Sequence, residues 1–291
     1  MGASMRRERL ERAWGPHTRR CLTSRPAVGT FRGLVLVLHG AGATSAWMFQ
    51  ETDLEDWAGE HGLMLAFPEA TRQQMDKPPH VLDNTPCWED GGLRRHPKPR
   101  EGADDLVWLD ALIAELNPAG ALPTVVAGFS NGASMALRLA AEGRSPLAGV
   151  LAIGGFPRAA LAGPARAIPT VFVHGEADPI VPPAGGWVKT PWQPEGYAIA
   201  PMSEVVTAWS RAMGAEVERE GHGQPFIRRR HFYQSVASAK PLTRWLCVAG
   251  LGHHWPGGKG QWESPSMGPR LDGVLDTRTL LLELLDNGQV C

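Results

Sequence analysis

Residues 124–141 read TVVAGFSNGASMALRLAA, and this stretch decides the fold. The apolar run Thr124-Val125-Val126-Ala127 leads into Gly128-Phe129-Ser130-Asn131-Gly132, and an Ala- and Leu-rich run follows. A buried strand, a tight turn and a helix are predicted in that order. The pentapeptide fits G-x-S-x-G, and between a strand and a helix it has the setting of a nucleophile elbow. Glycine is required there because the turn leaves no room for Cβ atoms near the nucleophile. The serine is then held at a helix N-terminus, whose dipole favours developing negative charge. The pentapeptide alone is a weak signal, and Ser130 as the N-cap of an ordinary Gly-rich turn is the plain alternative.

Working outward, the runs LVLVL (34–38), LMLAF (63–67), VLAI (150–153), TVFV (170–173) and WLCVA (245–249) are short and apolar in the same way. Amphipathic stretches lie between them, at 104–116, 131–141, 202–213 and 276–285. Continuous apolar strands alternating with helices predict the α/β class, a mostly parallel sheet with helices on both faces. Such sheets bind ligands beyond the carboxyl ends of their strands. Residues 21–291 are expected to form one domain, without internal repeats. The basic segment 1–20 is expected to be frayed or loosely docked. Segments 71–101, 182–201 and 252–269 are expected to loop over the ligand-binding edge, and loops this long are more often functional than idle.

Composition narrows the function classes. Of the 291 residues, Lys and Arg number 29 against 30 Asp and Glu, a formal net charge of −1. No global positive field exists to gather phosphates, so nucleic acid is not an expected partner. Hydrophobic residues at 43 % and charged residues at 20 % fit a globular chain and not a disordered one. No run of about 18 apolar residues occurs, so no membrane span is expected. Cys21, Cys87, Cys247 and Cys291 are scattered without a C-x-x-C pair; free thiols are the simpler reading, and no pairing can be read off. The charged N-terminus lacks the apolar core of a secretory signal, which predicts a cytoplasmic chain as written, or a secreted one if a signal has been removed. The sequence leaves the oligomeric state open.

A serine hydroxyl needs a base, and in this setting the acid and the base follow it along the chain. Asp178 lies in His174-Gly175-Glu176-Ala177-Asp178-Pro179-Ile180, where the strand TVFV ends. The pair His253-His254 lies in GHHWPGG after the strand WLCVA, at the same edge of the sheet. Each has a plain alternative, a turn residue before proline for Asp178 and a solvated loop histidine for the pair. Adjacent histidines lack the i, i+4 spacing of a helical metal site, so no metal is expected. Backbone N–H groups of Ala41, in the turn after LVLVL, and of Asn131 are the candidate oxyanion donors.

These residues together resemble the α/β-hydrolase superfamily. Within it the chain is similar to the esterase group that includes polyhydroxybutyrate depolymerases, feruloyl esterases and acetylxylan esterases. LVLVLHGAG, GFSNGASMA, HGEADPIVP and GLGHHWPGG carry the resemblance, with weaker matches at FPEA, at Cys87-Trp88 and at DDLVWLDALIAEL. It spans roughly residues 20–286. It implies that His253 is the catalytic histidine of the pair, with Trp255 the nearby aromatic. EDGGLRRHPKPREGAD after Cys87-Trp88 and the long stretch 185–201 depart from the group's pattern. Both fall on substrate-shaping loops.

The sequence holds 11 Trp against 2 Tyr, and five of the tryptophans fall in the expected rim loops. Trp offers a flat apolar face suited to aryl, sugar or polyester surfaces. Trp88 and Trp255 are assigned to substrate binding, together with Ile180 as an acyl-pocket wall. Trp187, Trp192 and Trp262 are expected to pack the loops onto the body. Arg228-Arg229-Arg230-His231 reads as a solvated face. The expected activity is hydrolysis of carboxylic esters (aryl, acetyl or hydroxyalkanoate, including polyesters) through Ser130, His253, Asp178 and an acyl-enzyme, without a cofactor. An acyltransferase or peptidase with the same triad, or a non-catalytic binding protein of the same fold, is the alternative.

Overall fold

In the computed structural model, which describes residues 4–15, 17–92, 99–159, 166–190, 193–221, 224–261 and 264–287, six strands run parallel at the centre of a ten-stranded sheet. The first half of the chain forms β1 (Met5–Trp14), β2 (His17–Pro26), β3 (Gly33–Leu38), α1 (Ser45–Thr52), α2 (Glu55–Glu60), β4 (Leu63–Pro68), α3 (Asp105–Leu116), β5 (Thr124–Phe129), α4 (Asn131–Glu142) and β6 (Gly149–Ile153). The second half forms β7 (Thr170–Gly175), β8 (Gly186–Thr190), β9 (Gln193–Ile199), α5 (Met202–Ala212), β10 (Val217–Gly221), β11 (Ile227–Tyr233), β12 (Thr243–Val248) and α6 (Thr277–Asn287). The sheet order is β1-β2-β4-β3-β5-β6-β7-β12-β11-β10. Pairing is parallel from β4 to β12 and antiparallel at both flanks.

The apolar runs form strands because both faces of the sheet are covered. On β3, Val35 and Val37 join a core with Met48 of α1, Trp57 of α2 and Leu281 of α6. Leu34, Leu36 and Leu38 join the opposite core with Trp108 of α3, Met135 of α4 and Trp209 of α5. All five are 0 % exposed. Each fully buried side chain of this size contributes roughly 1.5–3 kcal/mol. The chain order reverses beside β3, which pairs with β4 on one side and β5 on the other. The turns after β3 and β5 therefore open side by side at the sheet's carboxyl edge, where such sheets place their ligands.

Three expectations are corrected. The basic N-terminal segment is not loosely docked: β1 and β2 pair in register from Met5↔Pro26 to Trp14↔His17, and β2 pairs with β4. β1 exposes most of its side chains, so it carries no apolar alternation, and its strand state comes from pairing. Charged side chains suit such an edge strand. Segment 182–201 is not all loop, because β8 and β9 form a separate antiparallel hairpin. Trp187 on that hairpin is 67 % exposed and does not pack against the body. The basic run 228–231, read as a solvated face, lies within β11 with Arg228 exposed; Arg228 pairs with Glu176 and Arg230 with Glu218.

Trp192, Trp262 and Cys291 lie outside the described residues. Cys21, Cys87 and Cys247 are buried and form no disulfide. Among the described residues no helix is long and apolar enough to cross a membrane.

Candidate active site

Ser130 sits between the end of β5 and the start of α4, in a backbone conformation (φ 54°, ψ −118°) that L-residues rarely adopt. Its N–H donates to the carbonyl of Ile153 at 2.8 Å, which pins the turn to β6. The flanking glycines are dictated by close approach. A Cβ on Gly128 would stand 2.2 Å from the carbonyl oxygen of Gly132, and one on Gly132 would stand 2.3 Å from that of Leu38. Asn131 is the first residue of α4, so its N–H is among the donors a helix N-terminus leaves without intrahelical partners.

Asp178 follows β7 and is 2 % exposed. Its two oxygens have separate duties. Oδ1 accepts the N–H groups of Ile180 and Val181 at 2.8 and 2.7 Å, and Oδ2 lies 2.7 Å from Nδ1 of His253. Burial pushes this carboxyl upward. The charge and hydrogen bond of His253, with the two backbone N–H groups, outweigh that and hold it below the usual carboxylate range.

His253, 3 % exposed, lies in the loop after β12. Its N–H donates to the carbonyl of Met267 at 2.6 Å, and its ring packs against Phe129 with centroids 4.8 Å apart. The neighbouring His254 makes a different contact, Nε2 to the carbonyl of Gly268 at 3.0 Å. The loop is anchored from α1: the buried Glu51 carboxylate accepts the N–H groups of Gly260 and Gln261 at 3.1 and 2.8 Å.

Ser130 and His253 open onto one cavity of about 230 Å³, walled by Gly40, Ala41, Val81, Leu82, Phe129, Ile180, Ser264, Ser266 and Met267. What joins Ser130 to the Asp178–His253 pair is this shared wall rather than a hydrogen bond. Catalytic hydrogen bonds of unliganded sites are often long. A larger groove of about 670 Å³ runs over β11, lined by Glu176, Arg228, Arg230 and Trp245 among others. It contains none of Ser130, Asp178 or His253, so size does not select the site.

Of the side chains assigned to substrate, Ile180 lies on the cavity wall. Trp88 and Trp255 do not, which corrects both assignments. Trp88 is 0 % exposed, its indole N–H donating to the carbonyl of His39 at 2.9 Å. Trp255 is 3 % exposed in the core between sheet and helices, and its N–H donates to Thr277 Oγ1 at 3.2 Å. A large apolar ring in a loop gains more from burial than from standing in water.

Sequence reasoning missed the side chain of Asn131. Its Oδ1 accepts the N–H of Trp88 at 2.7 Å, and its Nδ2 donates to Asp90 Oδ2 at 2.7 Å and to the Trp88 carbonyl at 3.2 Å. It thereby clamps segment 88–90 onto the first turn of α4. Val81, Leu82, Ser264, Ser266 and Met267 were missed individually, although 71–101 and 252–269 are the segments expected over the edge. Among the described residues no cluster of three or more His, Cys, Asp or Glu is placed to hold a metal ion.

Residues 28–188 match the family described as phospholipase/carboxylesterase. The chain is 29 % identical over 281 residues to NocK of Nocardia uniformis subsp. tsuyamanensis, itself named only as a candidate esterase, covering 90 % of this chain and 76 % of that one. Among solved structures it resembles an acetyl xylan esterase from Aspergillus awamori, with a TM-score of 0.61, 11 % identity and coverage of 98 % and 100 % of the two chains. It also resembles the Zea mays acyl-protein thioesterase 2, with a TM-score of 0.50, 18 % identity and coverage of 91 % and 99 %. At these identities the structural likeness concerns the fold.

Proposed function

The chain belongs to the phospholipase/carboxylesterase family of α/β-hydrolases, and from that premise we propose that this carboxylic-ester hydrolase works through Ser130, His253 and Asp178 by way of an acyl-enzyme. The observation that carries the proposal is the buried 2.7 Å contact between Asp178 Oδ2 and His253 Nδ1 beside a cavity that Ser130 shares. With Oδ1 committed to two backbone donors, Oδ2 is left to accept the Nδ1 proton. That leaves Nε2 unprotonated and able to act as a base.

In this scheme Nε2 takes the Ser130 proton as Oγ attacks the ester carbonyl. The developing oxyanion is held by the N–H groups of Ala41 and Asn131. Asp178 stabilises the imidazolium without being protonated itself. The tetrahedral intermediate collapses, the bond to the alcohol oxygen breaks, and His253 protonates the leaving alcohol. Water then repeats the sequence on the acyl-enzyme and releases the acid. No metal or organic cofactor enters the scheme.

The cavity speaks to the acyl group. Its side-chain walls beyond the triad are apolar, with only the hydroxyls of Ser264 and Ser266 added, and carry no charge. The cavity is small, about 230 Å³, against about 670 Å³ for the groove over β11. This favours short uncharged acyl groups, acetyl or a single short hydroxyalkanoate unit, over feruloyl. The test is covalent labelling by a fluorophosphonate together with hydrolysis of p-nitrophenyl butyrate. Both are expected in the native chain and absent in Ser130→Ala, and hydrolysis that survives in Ser130→Ala rejects the scheme.

A further inference from the structure

Below the catalytic layer lies a second buried histidine that the reaction does not use. His174, near the end of β7, is 1 % exposed. Its ring nitrogens have partners of opposite kind. Nδ1 accepts the indole N–H of Trp245 at 3.2 Å, and an indole nitrogen can only donate. Nε2 lies 3.0 Å from the carbonyl oxygen of Gly155, which can only accept. One arrangement satisfies both: a neutral imidazole with its proton on Nε2. A second proton on Nδ1 would point at the Trp245 N–H. Burial acts in the same direction and pushes this imidazole down to about 4.

The carbonyl that His174 holds belongs to a strip that contacts the backbone of Ser130 and the ring of His253. The chain leaves β6 through Gly154 and Gly155. Gly154 has φ +60°, and a Cβ on it would stand 3.1 Å from Cε1 of His253. A Cβ on Gly155 would stand 2.4 Å from the carbonyl oxygen of Ser130. Ile153, one step earlier, accepts the Ser130 N–H, and Gly154 N–H donates to Val173 at 2.9 Å. Residues 153–155 therefore touch the nucleophile's backbone on one side and the base's ring on the other.

We infer that His174 is a positioning residue: by donating from Nε2 to Gly155 it fixes the strip on which both Ser130 and the His253 imidazole rest. The inference rests on the Ser130–His253–Asp178 reading above. It assigns His174 no contact with substrate, so its effect falls on kcat rather than KM. Displacement by about 1 Å at a reacting pair costs up to roughly 100-fold in rate.

Two amide substitutions separate the two hydrogen bonds. In His174→Gln the amide nitrogen can take the place of Nε2 and still donate to Gly155. In His174→Asn the amide oxygen can take the place of Nδ1 and accept from Trp245, but the side chain is too short to reach Gly155. Both full-length variants are assayed on p-nitrophenyl butyrate, with folded fraction followed by circular dichroism and Ser130→Ala run alongside. His174→Gln is expected to keep kcat within about threefold of the native chain, and His174→Asn to lose about 10- to 100-fold in kcat with KM within about twofold. Equal kcat for the Asn and Gln variants, or an Asn deficit no larger than its loss of folded protein, overturns the inference. If His174→Asn does not fold, long-range proton–nitrogen spectra of the native chain decide. A proton on Nε2 throughout about pH 5–8 is expected, and a proton on Nδ1 or a titration in that range overturns it. Turnover that survives in Ser130→Ala defeats the triad reading whatever His174 does. An inactive Ser130→Ala beside indistinguishable Asn and Gln variants defeats the His174 inference alone.

Discussion

Arg19 and Asp105 form an ion pair with both side chains 0 % exposed, joining β2 to the first residue of α3. Arg19 also donates to the carbonyl of Ala103 at 2.9 Å, and Asp105 Oδ2 accepts the N–H of Glu89 at 2.7 Å. The pair thus ties the N-terminal hairpin to the segment that Asn131 clamps. Removing one partner strands a charge in the core. Arg19→Met or Asp105→Leu alone is expected to cost about 3–5 kcal/mol in urea unfolding, and the double change distinctly less than the sum. A double variant as unstable as the two single losses added would show that the charges do not interact.

Asp178→Asn tests the orientation of the base. The N–H groups of Ile180 and Val181 select an oxygen at the Oδ1 position, so the new NH2 must face His253. Nδ1 would then have to accept, moving the ring proton to Nε2 and away from its use as a base. A fall in kcat on the order of 10⁴ with KM little changed is expected.

His253→Ala and His254→Ala should separate by orders of magnitude. His253 faces the cavity and Asp178, whereas His254 bonds the carbonyl of Gly268. We expect His253→Ala to be as inactive as Ser130→Ala, and His254→Ala to stay within about tenfold of the native chain. Steady-state assays on p-nitrophenyl butyrate measure both.

Stability should fall on acidification in two stages. His174 is held near 4 by burial, and burial also lowers His39. An unfolded chain takes up protons at these histidines near pH 6.5, which the folded chain refuses until lower pH. Stability is therefore full above about 6.5 and lost as pH falls toward 4, by about 3 kcal/mol for His174 alone. Asp178, held below the usual carboxylate range, adds a loss below about pH 4, where the unfolded carboxyl protonates first. Urea unfolding at pH 7, 5.5 and 4.5 measures the first stage, and His174→Gln should flatten it.

On the proposed reading, Met267 is part of the wall that meets the acyl group. It is 7 % exposed on the cavity wall, and its bond to the His253 N–H comes from its carbonyl, which Met267→Ala keeps. The native chain should prefer acetyl and butyryl esters to decanoyl. Met267→Ala should shift the decanoyl-to-acetyl ratio of kcat/KM upward by about tenfold or more.

The parallel centre of the sheet was legible because strands covered on both faces must be apolar throughout, as 34–38, 124–129 and 170–173 are. The neighbourhood of Ser130, Asp178 and His253 was legible because each follows such a strand, and parallel strands deliver those ends to one edge. β1, β2, β10 and β11 were not legible. β1 and β10 are largely solvated, and on β2 the buried positions are held mostly by polar residues such as His17, Arg19, Thr23 and Ser24, so the pairing that makes these segments strands leaves no apolar period. Trp88 and Trp255 were misplaced because residue type reveals a ring's size and not the direction in which a loop turns it. Leu82 and Met267 line one cavity only through the folded course of two long segments.

The sheet ends on both sides in strands studded with charge: Arg6, Arg7, Glu8 and Arg9 on β1, and Glu218, Arg219 and Glu220 on β10. A neighbouring copy adding itself to either border would have to strip water from these groups and bring like signs together. Edge-to-edge growth from molecule to molecule is thereby disfavoured at both borders of the apolar interior.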